Sequence, residues 1–364
     1  MACGCAILFG GSCADQEVPE RPVSVQTRIE SVASFHTAGE ALVVEPADAS
    51  IDHLGRWVVA DRRDKVIKVF ATDGSYSILG REGRGPGEFQ ALVAAGLMGA
   101  GRDTVYGYDL ITRLMVMFNS AGELAGTYAL DGPARAPIAF LRPVGDSLML
   151  GSGWIPLDDS EALHLYDRRG HHLRSFLRLG RLMKPMPPAT RNGMGVVADA
   201  RDGLIFSALL GYDTVLVHDL KGKLRGSGRL RMMGGERLLR LPERVAANGG
   251  KINRPDGSQV QEHGIVVRNV IALGGGLAAI QVAPVEYPHQ HDLLSEGGPV
   301  LIVAYTGGRT VRVVAQTDVP GSLLGRDGQG NALVLRLRGD DLSTLDLLRL
   351  RVTDTSAAPA APGS

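Results

Sequence analysis

The apolar residues of this chain fall into short runs that end on a ring and are followed by a glycine turn. Val66-Ile67-Lys68-Val69-Phe70 leads to Gly74, and Leu114-Met115-Val116-Met117-Phe118 to Gly122. Leu163-His164-Leu165-Tyr166 leads to Gly170, and Val215-Leu216-Val217-His218 to Gly222. In each copy the ring stands four residues before the glycine, and the rings follow one another at 48, 48 and 52 residues. A fifth run, Leu301-Ile302-Val303-Ala304-Tyr305, comes 87 residues later with a divergent turn, Thr306-Gly307-Gly308-Arg309. Near-continuous apolar runs of this length predict strands buried on both faces. Asp73-Gly74 is a hairpin signal, because glycine accepts the positive φ that a tight turn needs. Helical periodicity is almost absent. The stretch 237–247 is the one helix candidate, and Pro242 interrupts it.

A period of 40–50 residues matches one four-stranded sheet per repeat. The expected fold is therefore all-β: a β-propeller of four-stranded antiparallel sheets, six of them on the clearest count. The last blade would contain strands at 331–338 and 345–352. The segment 23–32 is the expected N-terminal closing strand beside 345–352, because a ring hides its sheet edges by pairing the two chain ends. The count stays open between six and seven, since residues 225–300 fit either an insertion, centred on 225–265, or a worn-down blade. The propeller is expected to span 21–353. The Pro- and Ala-rich segment 354–364 has the composition of a disordered tail.

Composition narrows the function classes. Lys+Arg and Asp+Glu each number 39, so the formal net charge is zero. That balance, with no basic run, argues against nucleic acid and against a polybasic membrane contact. All three cysteines, Cys3, Cys5 and Cys13, lie in the first thirteen residues. The body thus has no thiol nucleophile and no disulfide. Ala6-Ile7-Leu8-Phe9, then Gly10-Gly11-Ser12, then Cys13 follows the order of a lipoprotein leader, with Cys13 as the lipidation candidate. The apolar run is short and no basic residue precedes it, since the first positive charge is Arg21. Residues 1–20 are read as a leader remnant and tether.

Two further features carry a resemblance. Asp61, Lys65, Phe70 and Gly74 recur as Asp109, Arg113, Phe118 and Gly122, with each acid nine residues before its ring. With the loop Gly80-Arg81-Glu82-Gly83-Arg84-Gly85-Pro86-Gly87-Glu88-Phe89, this pattern resembles the bacterial six-bladed propeller lipoproteins related to NHL repeats. The match is good over 55–125 and poor over 225–300. It implies a six-bladed ring, with export in many members, and no single activity.

The candidate chemistry is thin. The 80–89 loop lacks the Gly-Lys-Ser/Thr end of a phosphate loop and no helix pattern follows it, so it reads as a blade linker. The repeated acids Asp61 and Asp109 read as turn caps. His289, His291 and Asp292, with Glu286 nearby, are weak metal candidates in a surface loop. His171-His172 makes a poor chelate, because neighbours in a strand face opposite ways. No Gly-x-Ser-x-Gly occurs. The first expectation is an exported, lipid-anchored, non-catalytic propeller without a cofactor. It would bind a protein, peptide or glycan of the cell envelope, with Arg84, Arg237 and Arg240 as candidate contacts. The alternative is an enzyme of lactonase or lyase type that uses one divalent cation.

Overall fold

The computed structural model describes residues 23–99, 101–132, 138–153, 161–179, 195–233, 267–282, 297–339 and 343–356, and the backbone of 251–253 and 259–261. Cys13 and the rest of the leader, Arg237, Arg240, Glu286, His289, His291, Asp292 and the tail beyond 356 lie outside the described residues.

The chain forms a six-bladed β-propeller of four-stranded antiparallel sheets. Blade 1 consists of Pro46–Ile51, Trp57–Asp61, Val66–Phe70 and Tyr76–Leu79, and blade 2 of Leu92–Met98, Thr104–Asp109, Leu114–Phe118 and Leu124–Ala129. Blade 3 is Ile138–Val144, Leu148–Gly153, Glu161–Asp167 and His172–Arg178, and blade 4 is Val196–Arg201, Leu204–Leu209, Thr214–Asp219 and Leu224–Arg229. Blade 5 is Val267–Gly274, Leu277–Val282, Gly298–Tyr305 and Val311–Val319. Blade 6 has Ser322–Arg326, Ala332–Arg338 and Thr344–Asp354, and its outer strand is Val25–His36, paired antiparallel with Thr344–Asp354. The stretch 225–300 therefore holds the outer strand of blade 4 and the first two strands of blade 5. Between them, Lys251–Asn253 pairs with Gln259–Gln261 as a two-stranded hairpin. A 3-10 turn, Gly39–Ala41, is the one helical element among the described residues.

The apolar runs of the repeat are the third strands. Val66–Phe70 is buried at every position, as a strand flanked by neighbouring sheets must be. Six hydrophobic clusters form the core, and each joins one consecutive pair of blades. Ile67, Val69 and Leu79 of blade 1, for example, pack with Leu92, Leu97 and Phe118 of blade 2. Trp57 and Phe70 of blade 1 pack with Leu333, Leu335 and Leu347 of blade 6. Three of the repeat glycines, Gly122, Gly170 and Gly222, seat their blades on the one before. A Cβ at Gly122 would stand 2.9 Å from Leu79 Cδ2, and one at Gly222 2.8 Å from Phe176 Cγ. Both glycines also have positive φ, so a side chain there would be strained as well as crowded.

Candidate functional site

The inner strands run alongside the central axis, and their small residues leave it open. Ala49, Ala95, Ala200 and Gly325 help to line a cavity of about 370 Å³ at the C-terminal ends of these strands. This is the face where each inner strand turns back into the second strand of its blade. The cavity wall is strongly charged. Arg102, Arg142, Arg201 and Arg326 line it together with Asp48, Asp146, Asp199 and Asp202.

The deep part of the wall is a hydrogen-bonded network that spans the ring. Arg142, on the inner strand of blade 3, donates to Val270 O, to Asn269 Oδ1 at 2.8 Å and to Leu324 O at 3.3 Å. Arg326, from blade 6, pairs with Asp199 of blade 4 and donates to Pro143 O of blade 3 at 3.3 Å. Asp199 Oδ2 also accepts the Ala272 N–H at 2.9 Å. Tyr106 donates to Leu141 O at 2.7 Å. Buried guanidiniums are tolerated because carbonyls and acids satisfy them.

Asp48 is the exception in this network. Its Oδ1 accepts the Ala49 N–H at 3.0 Å, and its other oxygen has no partner among the described residues. Burial pushes this carboxyl up to about 7. Arg142, the Ala49 N–H and Arg326 pull it down, and Asp199 pushes it further up. Asp48 therefore titrates near neutrality.

Two arginines reach over the rim. Arg102, in the turn after the inner strand of blade 2, donates from Nε to Ile51 O at 3.2 Å and extends toward Arg326 O and Gly328. Its backbone holds φ +50°, in the left-handed region that few non-glycine residues adopt. Burial, then Arg326 and Arg201, hold its guanidinium below the ordinary range, with Asp327 and Asp52 opposing. Arg201, at the end of the inner strand of blade 4, lies against Gly274 and Gly330. Its one charged partner among the described residues is Asp202, 4.0 Å away and largely exposed.

The sequence-predicted residues fall elsewhere. Arg84 is exposed on the loop between blades 1 and 2 and is not part of the cavity wall. That loop folds on itself. Glu88 accepts Arg81 Nε at 2.7 Å and the Gly85 N–H at 2.6 Å, and the Phe89 ring is buried beneath Gly80. The repeated acids are structural caps. Asp109 accepts the N–H groups of Gln90, Ala91, Ile111 and Thr112. Asp61 accepts those of Val44, Glu45 and Arg63, and also buried Lys68. Each acid thereby ties the loop entering its blade to the turn before its third strand. His171 and His172 diverge as expected: His171 meets Asp167 at 2.9 Å and His172 meets Ser175 Oγ at 2.8 Å. Among the described residues no three His, Cys, Asp or Glu side chains form a cluster able to hold a metal ion.

The wall residues were missed because Asp48, Arg142, Asp199 and Arg326 are single charges inside short strands, and Arg102, Asp146 and Asp202 stand in ordinary-looking turns. One signal was present. Ala47-Asp48-Ala49 and Ala198-Asp199-Ala200 repeat a carboxylate between two small residues inside predicted strands. In both, the acid accepts the following N–H.

No family model matches the sequence, and no curated protein resembles it closely enough to count as a relative. Solved structures do resemble it in shape. A member of the DUF4221 family from Bacteroides vulgatus aligns over 91% of this chain and 99% of its own, with TM-score 0.55 and 11% identity. A candidate exported protein from Bacteroides fragilis aligns over 90% of this chain and 95% of its own, with TM-score 0.56 and 10% identity. At such identities the likeness is one of fold. A virginiamycin B lyase from Staphylococcus aureus covers 89% of this chain and 99% of its own at TM-score 0.47 and 8% identity, too loose to speak to activity.

Proposed function

We propose that this chain is an exported binding propeller, anchored through a lipid on Cys13, that holds a protein, peptide or glycan ligand at the face where the inner strands end. The observation that carries the reading is the preformed cavity at that face, built on a rigid ring whose deep arginines are already satisfied. Binding residues on such a scaffold need no reorganisation to meet a ligand. The leader-like order of residues 6–13 supports export. So does the name of the Bacteroides fragilis neighbour, a candidate exported protein. The repeat pattern around Asp61 and Asp109 supports kinship with the NHL-like lipoproteins. Arg84, which is not part of the cavity wall, is proposed as a further contact, as are Arg237 and Arg240.

An enzyme that holds a divalent cation on the axis fits this wall less well. Four guanidiniums line it, and Asp199 is already paired with one of them. Repulsion from the four guanidiniums opposes an entering cation and offsets the attraction of the rim acids Asp146 and Asp202.

The reading is tested in cells with a photo-crosslinking side chain at Leu54, which is exposed on the turn after the inner strand of blade 1. The expected outcome is one discrete adduct from Leu54, in a fraction outside the cytoplasm, with release from the membrane when Cys13→Ser is introduced. A chain that stays cytoplasmic and yields no adduct from Leu54 would overturn it.

A further inference from the structure

We propose that the mouth of the central channel binds a carboxylate group, held between Arg102 and Arg201 over the 327–330 turn of blade 6. The inference rests on the same cavity as the binding reading above and adds the chemistry of the ligand. Arg102 and Arg201 come from blades 2 and 4, yet both side chains end over one place. A Cβ on Gly328 would meet Arg102 Cδ at 3.4 Å, and one on Gly330 would meet Arg201 Nη1 at 2.3 Å. Glycine at 330 is therefore what makes room for Arg201, and it also needs its positive φ of +91°, whereas a side chain at 328 would only touch Arg102.

The acid of the 327–330 turn is already occupied. Asp327 is buried, pairs with Arg349 at 2.8 Å, and accepts the N–H groups of Gln329 and Asn331. Two partly desolvated guanidiniums that repel one another, with no free carboxylate between them among the described residues, form a site that an anion completes. Asp48 holds a proton for much of the time at neutral pH, so the four wall arginines exceed the ionised acids. The rim also carries Asp146 and Asp202. Their charge penalises a dianion more than a single charge, which favours a carboxylate over a phosphate. The planar guanidinium forks can each meet the two oxygens of a carboxylate in parallel. The cavity volume, about 370 Å³, lies near the low end for small-molecule sites.

The test is calorimetric titration of the purified full chain at constant ionic strength. The probes are acetate and lactate as free acids of single charge, N-acetyl-Ala-Ala and its C-terminal amide as a chain end, and inorganic phosphate. The expected result is saturable binding of at least one carboxylate probe, with the amide silent. Arg201→Gln, which removes no hydrogen bond to the described residues, should weaken that binding about tenfold or more while the melting temperature holds. Arg178→Gln, on the outer strand of blade 3, should leave it unchanged. Free acids binding in preference to the acetylated dipeptide assigns a small metabolite, and the reverse assigns a chain end. Silence from every carboxylate, phosphate binding in their place, or equal affinity in Arg201→Gln would each overturn the proposal. A crosslink from Leu54 with no carboxylate binding would leave the broader binding role standing and remove only this one.

Discussion

At the scale of single residues, Asp48 links the cavity to stability. Its carboxyl ionises near the ordinary value of 3.8 in the unfolded chain and at about 7 in the fold. Between these values the folded state binds the proton more tightly, so stability falls as pH rises through the window. The loss is complete above the folded value and amounts to roughly 4 kcal/mol. Asp48→Asn keeps the acceptor for the Ala49 N–H and cannot ionise. The variant should therefore melt higher than the parent at pH 8 and close to it at pH 4, as followed by circular dichroism. An equal offset at both pH values would mean that folding leaves the Asp48 carboxyl at its ordinary value. The cavity thus carries a carboxyl that costs stability as the pH rises through its window.

At the scale of elements, the repeated acids make blades 1 and 2 self-tied units. Asp61 and Lys68 are fully buried, and Lys68 also donates to Leu42 O and reaches Asp64. Lys68→Met would leave Asp61 as a buried carboxylate without its counter-charge. The expected cost is about 3–5 kcal/mol, read from the urea midpoint. The double variant Lys68→Met with Asp61→Asn should recover part of it. Such elements were legible in the sequence because they repeat. The ring four residues before a glycine gave the third strands, and the acid nine residues before the ring marked the cap. The cavity wall was not legible, because its polar residues are set by register at the axis rather than by any period. Arg102 and Arg201 come together over blade 6 although 99 residues separate them, and no local pattern encodes that meeting. Blade 5 hid for a related reason. Its first two strands, Val267–Gly274 and Leu277–Val282, follow a long segment after blade 4 and lack the ring and the acid of the repeat.

At the scale of the molecule, the six blades are held by six interblade clusters, and that between blades 6 and 1 joins the two ends of the chain. Val25–His36 adds to this joint. It makes eleven pairs with Thr344–Asp354, Ser34 donates to Asp346 at 2.7 Å, and Phe35 lies 5.4 Å from Phe70 of blade 1 between ring centroids. Removing residues 1–36 would take all of these away, and at about 0.5 kcal/mol per cross-strand pair the loss is roughly 5 kcal/mol. It would also bare Thr344–Asp354 as an edge strand with Leu345, Leu347 and Leu350 along it, which invites pairing with a second chain. The truncated chain should therefore melt at lower temperature and elute as dimers or larger species, measured by size exclusion with light scattering. A truncated monomer with the parent's melting temperature would mean that the 322–354 strands and the interblade clusters suffice. In that case the N-terminal strand would be free to leave its place, and the channel mouth would have to keep its geometry without it. The inner strands and the turns that carry Arg102 and Arg201 lie at the other side of the sheets from Val25–His36, so carboxylate binding by a surviving monomer should match that of the full chain.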